Sequence, residues 1–401
     1  MSNLALLFPG QGSQIVGMGK SFWNHFDVAK NRFEEASDAI SFDLRKLCFE
    51  GSMNDLTLTM NAQPALLTVS VIAFQVYMQE IGVEPTLLAG HSLGEYSALV
   101  CAGVLSFHDA IKLVRQRGII MNNADPHQQG TMVAISQIKL ESLQKICEEV
   151  STQEHPACVA CMNSDQQFVI SGHRQSIQQI IKMTESMGTK HSYLNVSGPY
   201  HSPMMQIAGD QFKAELDQKQ YKQAKYPVIS NVTAAPYQPD LPVVDYLNRQ
   251  MTMPVRWLES MLYLLEHGIT EVIELGSKNV LASLMNKITN RIVPYSLNQP
   301  SDLIMLTNTN ERKNKLLNIR KHILSELMVT SLISRNYNKD SIAYTQTVEP
   351  LFLKLQRVKE QVDNHEYELS EEEINHSMQI CHSILSAKQI TKNKTSLINA
   401  I

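Results

Sequence analysis

The chain has 401 residues, enough for two or three domains with a real core. It is 43% hydrophobic and 18% charged, with a formal net charge of −4, so nothing global suggests nucleic acid or an anionic membrane as a partner. The start, MSNLALLFPGQGSQ, has no basic region and only a short apolar run, and no stretch approaches the roughly 18 apolar residues of a membrane span; we expect a cytoplasmic protein.

Residues 4–8, LALLF, predict a short buried strand, followed by a loop. The loop glycines Gly10, Gly12 and Gly17 do not fit G-x-G-x-x-G, and no G-K-[ST] occurs, so a nucleotide-phosphate loop is not expected. Residues 64–80 read as a buried helix leading to a strand at Leu87–Ala89. Gly90-His91-Ser92-Leu93-Gly94 then fits G-x-S-x-G, and a helix follows from Glu95. A sharp strand-to-helix turn forces its middle residue into a tight conformation and presents that hydroxyl at the sheet edge. The flanking glycines leave room that side chains would fill. Strand–helix alternation around this turn predicts an α/β core with a largely parallel sheet.

From about 126 to 198 the texture changes. GTMVAI, ACVAC, QFVISG and KHSYLNV read as strands, with helices at IKLESLQKICEEV and RQSIQQIIKMTESMG. The order β-α-β-β-α-β is ferredoxin-like. The chain returns to α/β texture up to about 298, with YPVISNV and TEVIEL as strands. Three helical stretches follow, near 311–334, 344–363 and 369–388. The expected architecture is an α/β-hydrolase-like catalytic domain formed by 1–125 and 199–298, an inserted ferredoxin-like subdomain at 126–198, and a mostly helical extension at 299–401.

Six cysteines are scattered along the chain. Cys158 and Cys161 form a C-x-x-C without the second pair of a zinc site. On a regular strand residues an odd number apart point to opposite faces, so these two thiols are expected to diverge. No metal or redox role is expected of them.

A serine nucleophile needs a base and donors for the oxyanion. His201, held between glycine and proline turns in VSGPYHSPMM, is a plausible base. His91 abuts the serine, with its side chain directed elsewhere, and shapes the turn. Arg117 carries more information. Ser106 and Asp109 form a capping box, and Leu113, Arg117 and Met121 then lie at i, i+4 and i+8 on one apolar stripe. Lys112, Arg115 and Gln116 take more polar directions. An inward guanidinium needs an anion, because an unpaired buried charge is very costly. That anion is either a carboxylate of the protein or a substrate carboxylate gripped at two points, which the planar fork of arginine suits.

LFPGQGSQ, GHSLGEYSAL, QRGIIM, NSDQQFVISG, VSGPYHSPMM, MPVRW and ELGSKNVLASL occur in order. Together they make residues 1–297 resemble the malonyl-CoA:acyl-carrier-protein transacylases, which include the stand-alone enzymes of fatty acid synthesis and those serving polyketide synthases in trans. The resemblance implies a ping-pong transfer of malonyl from malonyl-CoA, through a malonyl-serine ester, to the phosphopantetheine thiol of a holo acyl carrier protein. It implies Ser92 as nucleophile, His201 as base, and Gln11 and Leu93 as backbone oxyanion donors. Arg117 would bind the malonyl carboxylate. Gln250 would line the site near the serine and the carboxylate, with Tyr200 and His91 beside the substrate. The turn at Asn163 is taken as structural. The implied enzyme needs no cofactor or metal and is a monomer.

Two departures stand out. Tyr200 replaces the phenylalanine usual in malonyl-selective members; its ring should still crowd an α-methyl branch. ELGSKNVL replaces a glycine-proline-glycine pattern, which favours the trans-acting polyketide branch. Two rivals remain: an acyl hydrolase acting on carrier-protein thioesters, which has no reason to place Arg117 inward, and a non-catalytic docking partner. In the extension, the basic stretch Arg312–Lys321 is either a solvated face or a dock for an acidic carrier protein.

Overall fold

Leu4–Phe8 (β1) is buried along its whole length and runs between two parallel neighbours, Leu87–Gly90 (β2) and Glu271–Leu275 (β8). Strands buried on both faces read as continuous apolar runs, as LALLF and LLAG do. A computed structural model describes residues 3–238, 240–307, 324–325, 327–329, 331, 341–363 and 371–388. Its first sheet has the order β7-β2-β1-β8-β9, with β7 at Val228–Ile229 and β9 at Val293–Leu297. β7 also runs parallel to β2. The strand expected over YPVISNV is reduced to two residues, because the chain turns at once and Ala234 N–H bonds back to Ser230 O.

The second sheet is antiparallel, in the order β4-β5-β3-β6, from Gly130–Ser136 (β3), Ala157–Ser164 (β4), Gln167–His173 (β5) and Lys190–Tyr193 (β6). Helix Leu140–Val150 separates β3 from β4, and helix Arg174–Glu185 separates β5 from β6. Alternation divides the two faces. Val133, Ile135, Phe168 and Ile170 pack with Leu143, Ile177 and Ile180 of the helices. Met132, Ala134 and Val169 point the other way, into a cavity of about 520 Å³ shared with Ser92.

Cys158 and Cys161 do not diverge. A bulge interrupts β4 between Val159 and Cys161. Its bonds are taken up by the MPVRW segment: Val255 N–H donates to Ala160 O at 2.8 Å, and Met162 N–H to Val255 O at 2.9 Å. The extra residue resets the alternation. Cys161 lines the cavity, and Cys158 Sγ lies 3.5 Å from His201 O. Burial pushes both thiols up to about 12, so they are not thiolates at neutral pH. Among the described residues no group of three potential metal ligands occurs, and no helix is long and apolar enough to cross a membrane.

Helix Thr59–Glu80 is buried through most of its length. Pro64 lies inside it and has no N–H for the Met60 carbonyl. Arg115 Nη1 donates to that carbonyl at 2.7 Å. Arg115 belongs to helix Phe107–Asn123, which starts with the expected box: Asp109 N–H donates to Ser106 Oγ at 3.1 Å. The two helices meet at Gly118, where a Cβ would stand 2.5 Å from Met60 Cα. This approach carries Arg117 inward.

The chain divides into two compact units, residues 1–288 with 294–304, and residues 289–293 with 305–401. In the second, helices Ser341–Asp363 and Glu371–Ala387 enclose Leu324, Val348, Leu355, Ile380 and Ile384. Both were expected there. Residues 308–323 lie outside the described residues, and with them the basic stretch at 312–321.

Candidate active site

Ser92 sits between β2 and helix Leu93–Cys101 with φ 51° and ψ −105°. This conformation is costly for a non-glycine residue and is held by its surroundings. A methyl group at Gly90 would overlap the Gly94 carbonyl, and one at Gly94 would overlap the Phe8 carbonyl. Asn231 clamps the turn: Ser92 N–H donates to its Oδ1 at 2.7 Å, and its Nδ2 donates to Gly90 O at 2.7 Å.

His201 is also held at positive φ, 56°. Its Nε2 lies 2.8 Å from Ser92 Oγ, and its Nδ1 lies 2.8 Å from Gln250 O. A main-chain carbonyl only accepts, so Nδ1 carries the ring proton. Nε2 is then bare and accepts from the serine hydroxyl. A carbonyl thus orients the base where a triad has a carboxylate. Burial, and then the Arg117 guanidinium, push the His201 imidazole down to about 3, so it is neutral at pH 7.

Arg117 is 1% exposed. Its Nη1 donates to Gln63 Oε1 at 2.9 Å and its Nη2 to Gln250 Oε1 at 3.1 Å. Nη2 also lies 3.4 Å from Ser92 Oγ, and Cζ lies 5.2 Å from the Tyr96 ring centroid. No described carboxylate forms an ion pair with it, which removes the reading of a protein carboxylate in direct contact. Neutral amide oxygens hold the guanidinium beside the nucleophile. Gln11 and Leu93 line the same cavity as Ser92. Leu93 is the first residue of its helix, so its N–H has no partner within the helix.

The acyl transferase domain family matches residues 5–313. A malonyl CoA-acyl carrier protein transacylase of Bacillus subtilis is 60% identical over 390 residues, covering 97% of this chain and 98% of that protein. The chain belongs to the malonyl-CoA:acyl-carrier-protein transacylase family. The transacylase of Escherichia coli (strain K12) is 38% identical over 302 residues, covering 75% of this chain and 97% of its own. The former match spans nearly the whole chain and the latter three quarters of it. Among solved structures, an acyl carrier protein S-malonyltransferase from Vibrio cholerae superposes with TM-score 0.74 at 37% identity, over 76% of this chain and 100% of that one. A malonyl-transacylase in complex with its type II polyketide synthase acyl carrier protein also gives 0.74, at 36% identity, over 77% of this chain and 100% of that one.

In this transacylase Gln250 departs from its expected place. It is fully buried and not among the cavity-lining residues. It stands behind them, because its amide is spent on protein groups: Nε2 donates to Ser92 O at 3.0 Å and to Glu95 Oε2 at 2.6 Å. Tyr200 does line the cavity, and its hydroxyl is tied to Thr59 Oγ1 at 2.9 Å and Ser197 Oγ at 2.6 Å, which fixes the ring. His91 lines the cavity too, with Nε2 2.9 Å from Asn163 Oδ1 and its ring 5.5 Å from that of Trp257. Burial lowers its pKa, so it is neutral.

Three residues at the centre were not singled out in the sequence: Gln63, Glu95 and Asn231. Each had a signal. Glu95 is the one charge in the apolar run LGEYSALVC, and Gln63 is a polar residue in a helix without a solvated side. Asn231 follows β7, beside the nucleophile strand, where parallel strands gather their site at the carboxyl ends.

Proposed function

We propose that the protein moves a malonyl group from malonyl-CoA to the phosphopantetheine thiol of an acyl carrier protein, in fatty acid or polyketide biosynthesis. The observation that carries this reading is Arg117 Nη2 beside Ser92 Oγ, with His201 Nε2 on the same oxygen. Ser92 gives its proton to His201 Nε2 as Oγ attacks the thioester carbon. The N–H groups of Gln11 and Leu93 receive the oxyanion. The intermediate collapses, the C–S bond breaks, and the leaving CoA sulfur takes the proton from His201. A malonyl ester remains on Ser92, its carboxylate against Arg117. The carrier thiol then loses its proton to His201 and attacks the ester carbon, and Ser92 Oγ recovers a proton as it leaves.

Arg117 supplies the choice of substrate, since an acyl group without a carboxylate leaves its guanidinium unanswered. Tyr200 is proposed to crowd the α-carbon and His91 to shape the pocket around the acyl group. Gln250 supports His201 and Arg117. The scheme uses no cofactor or metal, and we expect a monomer in the cytoplasm.

We read residues 1–125 and 199–298 as an α/β-hydrolase-like core carrying a ferredoxin-like subdomain at 126–198; the β4-β5-β3-β6 order supports the subdomain. We read 299–401 as a mostly helical extension, which the described helices Asp302–Thr307, Ser341–Asp363 and Glu371–Ala387 support. The test is incubation with malonyl-CoA and holo carrier protein, followed by mass analysis of the carrier. A malonyl gain that Ser92→Ala abolishes supports the reading. Release of free malonate with no carrier product would replace it with a hydrolase.

A further inference from the structure

Glu95 lies three residues after Ser92, fully buried on helix Leu93–Cys101, and is not among the cavity-lining residues. Its Oε2 accepts from Gln250 Nε2 at 2.6 Å and from Asn231 N–H at 3.2 Å, and its Oε1 accepts from the Tyr237 hydroxyl. A buried carboxylate so close to a nucleophile that it does not touch needs a reason, because its desolvation is costly.

The Gln250 amide supplies one. It has a donor end and an acceptor end, and a half-turn exchanges them. The donor end faces three acceptors, Glu95 Oε2, Ser92 O and, at 3.5 Å, Asn231 Oδ1. The acceptor end faces Arg117 Nη2. Turned over, the amide would set NH₂ against the guanidinium and oxygen against the carboxylate. We propose that Glu95 is a positioning residue for substrate selection: by accepting from Gln250 Nε2 it keeps Gln250 Oε1 toward Arg117, and so holds the guanidinium edge beside Ser92. The bond to Glu95 is the shortest of those that set the amide. Without it Arg117 keeps Gln63 as its one reliable amide acceptor, and the edge near Ser92 loses its fixed place.

The geometry also says which property of Glu95 matters. Both N–H donors meet Oε2, while Oε1 meets a hydroxyl, which can accept as well as donate. Glu95→Gln can therefore put its oxygen in the Oε2 place and its NH₂ toward Tyr237. Orientation is then kept and charge removed. Glu95→Ala removes both, and Glu95→Met does so at nearly constant volume.

The proposal rests on the malonyl-transfer reading, so the full chain is tested beside its variants. Initial rates of Ser92 acylation by malonyl-CoA and acetyl-CoA are followed by intact mass. The wild type must prefer malonyl; if it does not, the functional reading fails before Glu95 is tested. Glu95→Ala should lower the malonyl-to-acetyl rate ratio by about tenfold or more. Glu95→Gln should keep the ratio within about threefold of wild type. Should the alanine variant not fold, Glu95→Met carries the same expectation. A role confined to stability would lower both rates together and leave the ratio unchanged. An unchanged ratio in a folded alanine or methionine variant overturns the proposal. So does a glutamine variant as impaired as the alanine one, because charge and not orientation would then be the agent.

Discussion

At the residue scale, a neutral base and a buried cation share the serine hydroxyl. Burial, and then the nearby Arg117 guanidinium, hold the His201 imidazole neutral, and that neutrality lets Nε2 accept the serine proton. A pKa pushed down leaves the base unprotonated as pH falls through the ordinary histidine range near 6.5. Acylation of Ser92, measured as kcat/KM for malonyl-CoA, should stay flat from pH 8 to about pH 5. A fall centred near pH 6.5 would mean that His201 is an ordinary imidazole in the free enzyme. Arg117→Ala should cost about 10²–10³-fold in kcat/KM for malonyl-CoA, equivalent to about 3–4 kcal/mol, with little loss for acetyl-CoA. Steady-state competition between the two thioesters reads this out. Arg117 was legible because an i, i+4, i+8 stripe shows an inward side chain. Its partners were not, since periodicity reports which face is buried and not which polar groups meet there. Gln250 illustrates the limit: it was expected to line the site near the serine and the substrate carboxylate, whereas its amide is consumed by Ser92 O, Glu95 and Arg117.

At the element scale, backbone contacts decide where these side chains arrive. Gly118 lets helix Phe107–Asn123 approach Met60, and Pro64 frees a carbonyl for Arg115 in the same place. Gly118→Ala should destabilise the fold by about 1–3 kcal/mol through overpacking, measured by urea titration. It should also lower malonyl selectivity, because Arg117 is the next residue. Full stability with unchanged selectivity would show that the helices can separate without moving the guanidinium. The strands β1 and β2 were legible from continuous apolar runs, β8 from the β-branched pair in TEVIEL, and the small sheet from its order of alternating segments. The bulge in β4 was not, because the bonds that impose it come from Val255, almost a hundred residues further on. The shortness of β7 escaped for a similar reason: apolar composition marks a strand's place, while the turn at Ser230–Ala234 sets its end.

At the scale of the whole molecule, the catalytic groups belong to the first unit, and relatives of about that length are matched over nearly all their own sequence. A chain ending after Ile304 should therefore load malonyl and pass it to a carrier protein with rate constants within about threefold of the full chain. Loading preserved with transfer lost would assign the extension to carrier docking. In the proposed reaction Ser92 captures an acyl group that Arg117 has chosen by its carboxylate. The most direct measurement is the intact mass of the protein after brief mixing with malonyl-CoA or acetyl-CoA, for wild type, Ser92→Ala and Arg117→Ala. A malonyl-sized gain is expected on wild type and none on Ser92→Ala, with a preference for malonyl that vanishes in Arg117→Ala. Equal loading of both acyl groups on wild type would contradict selection by Arg117.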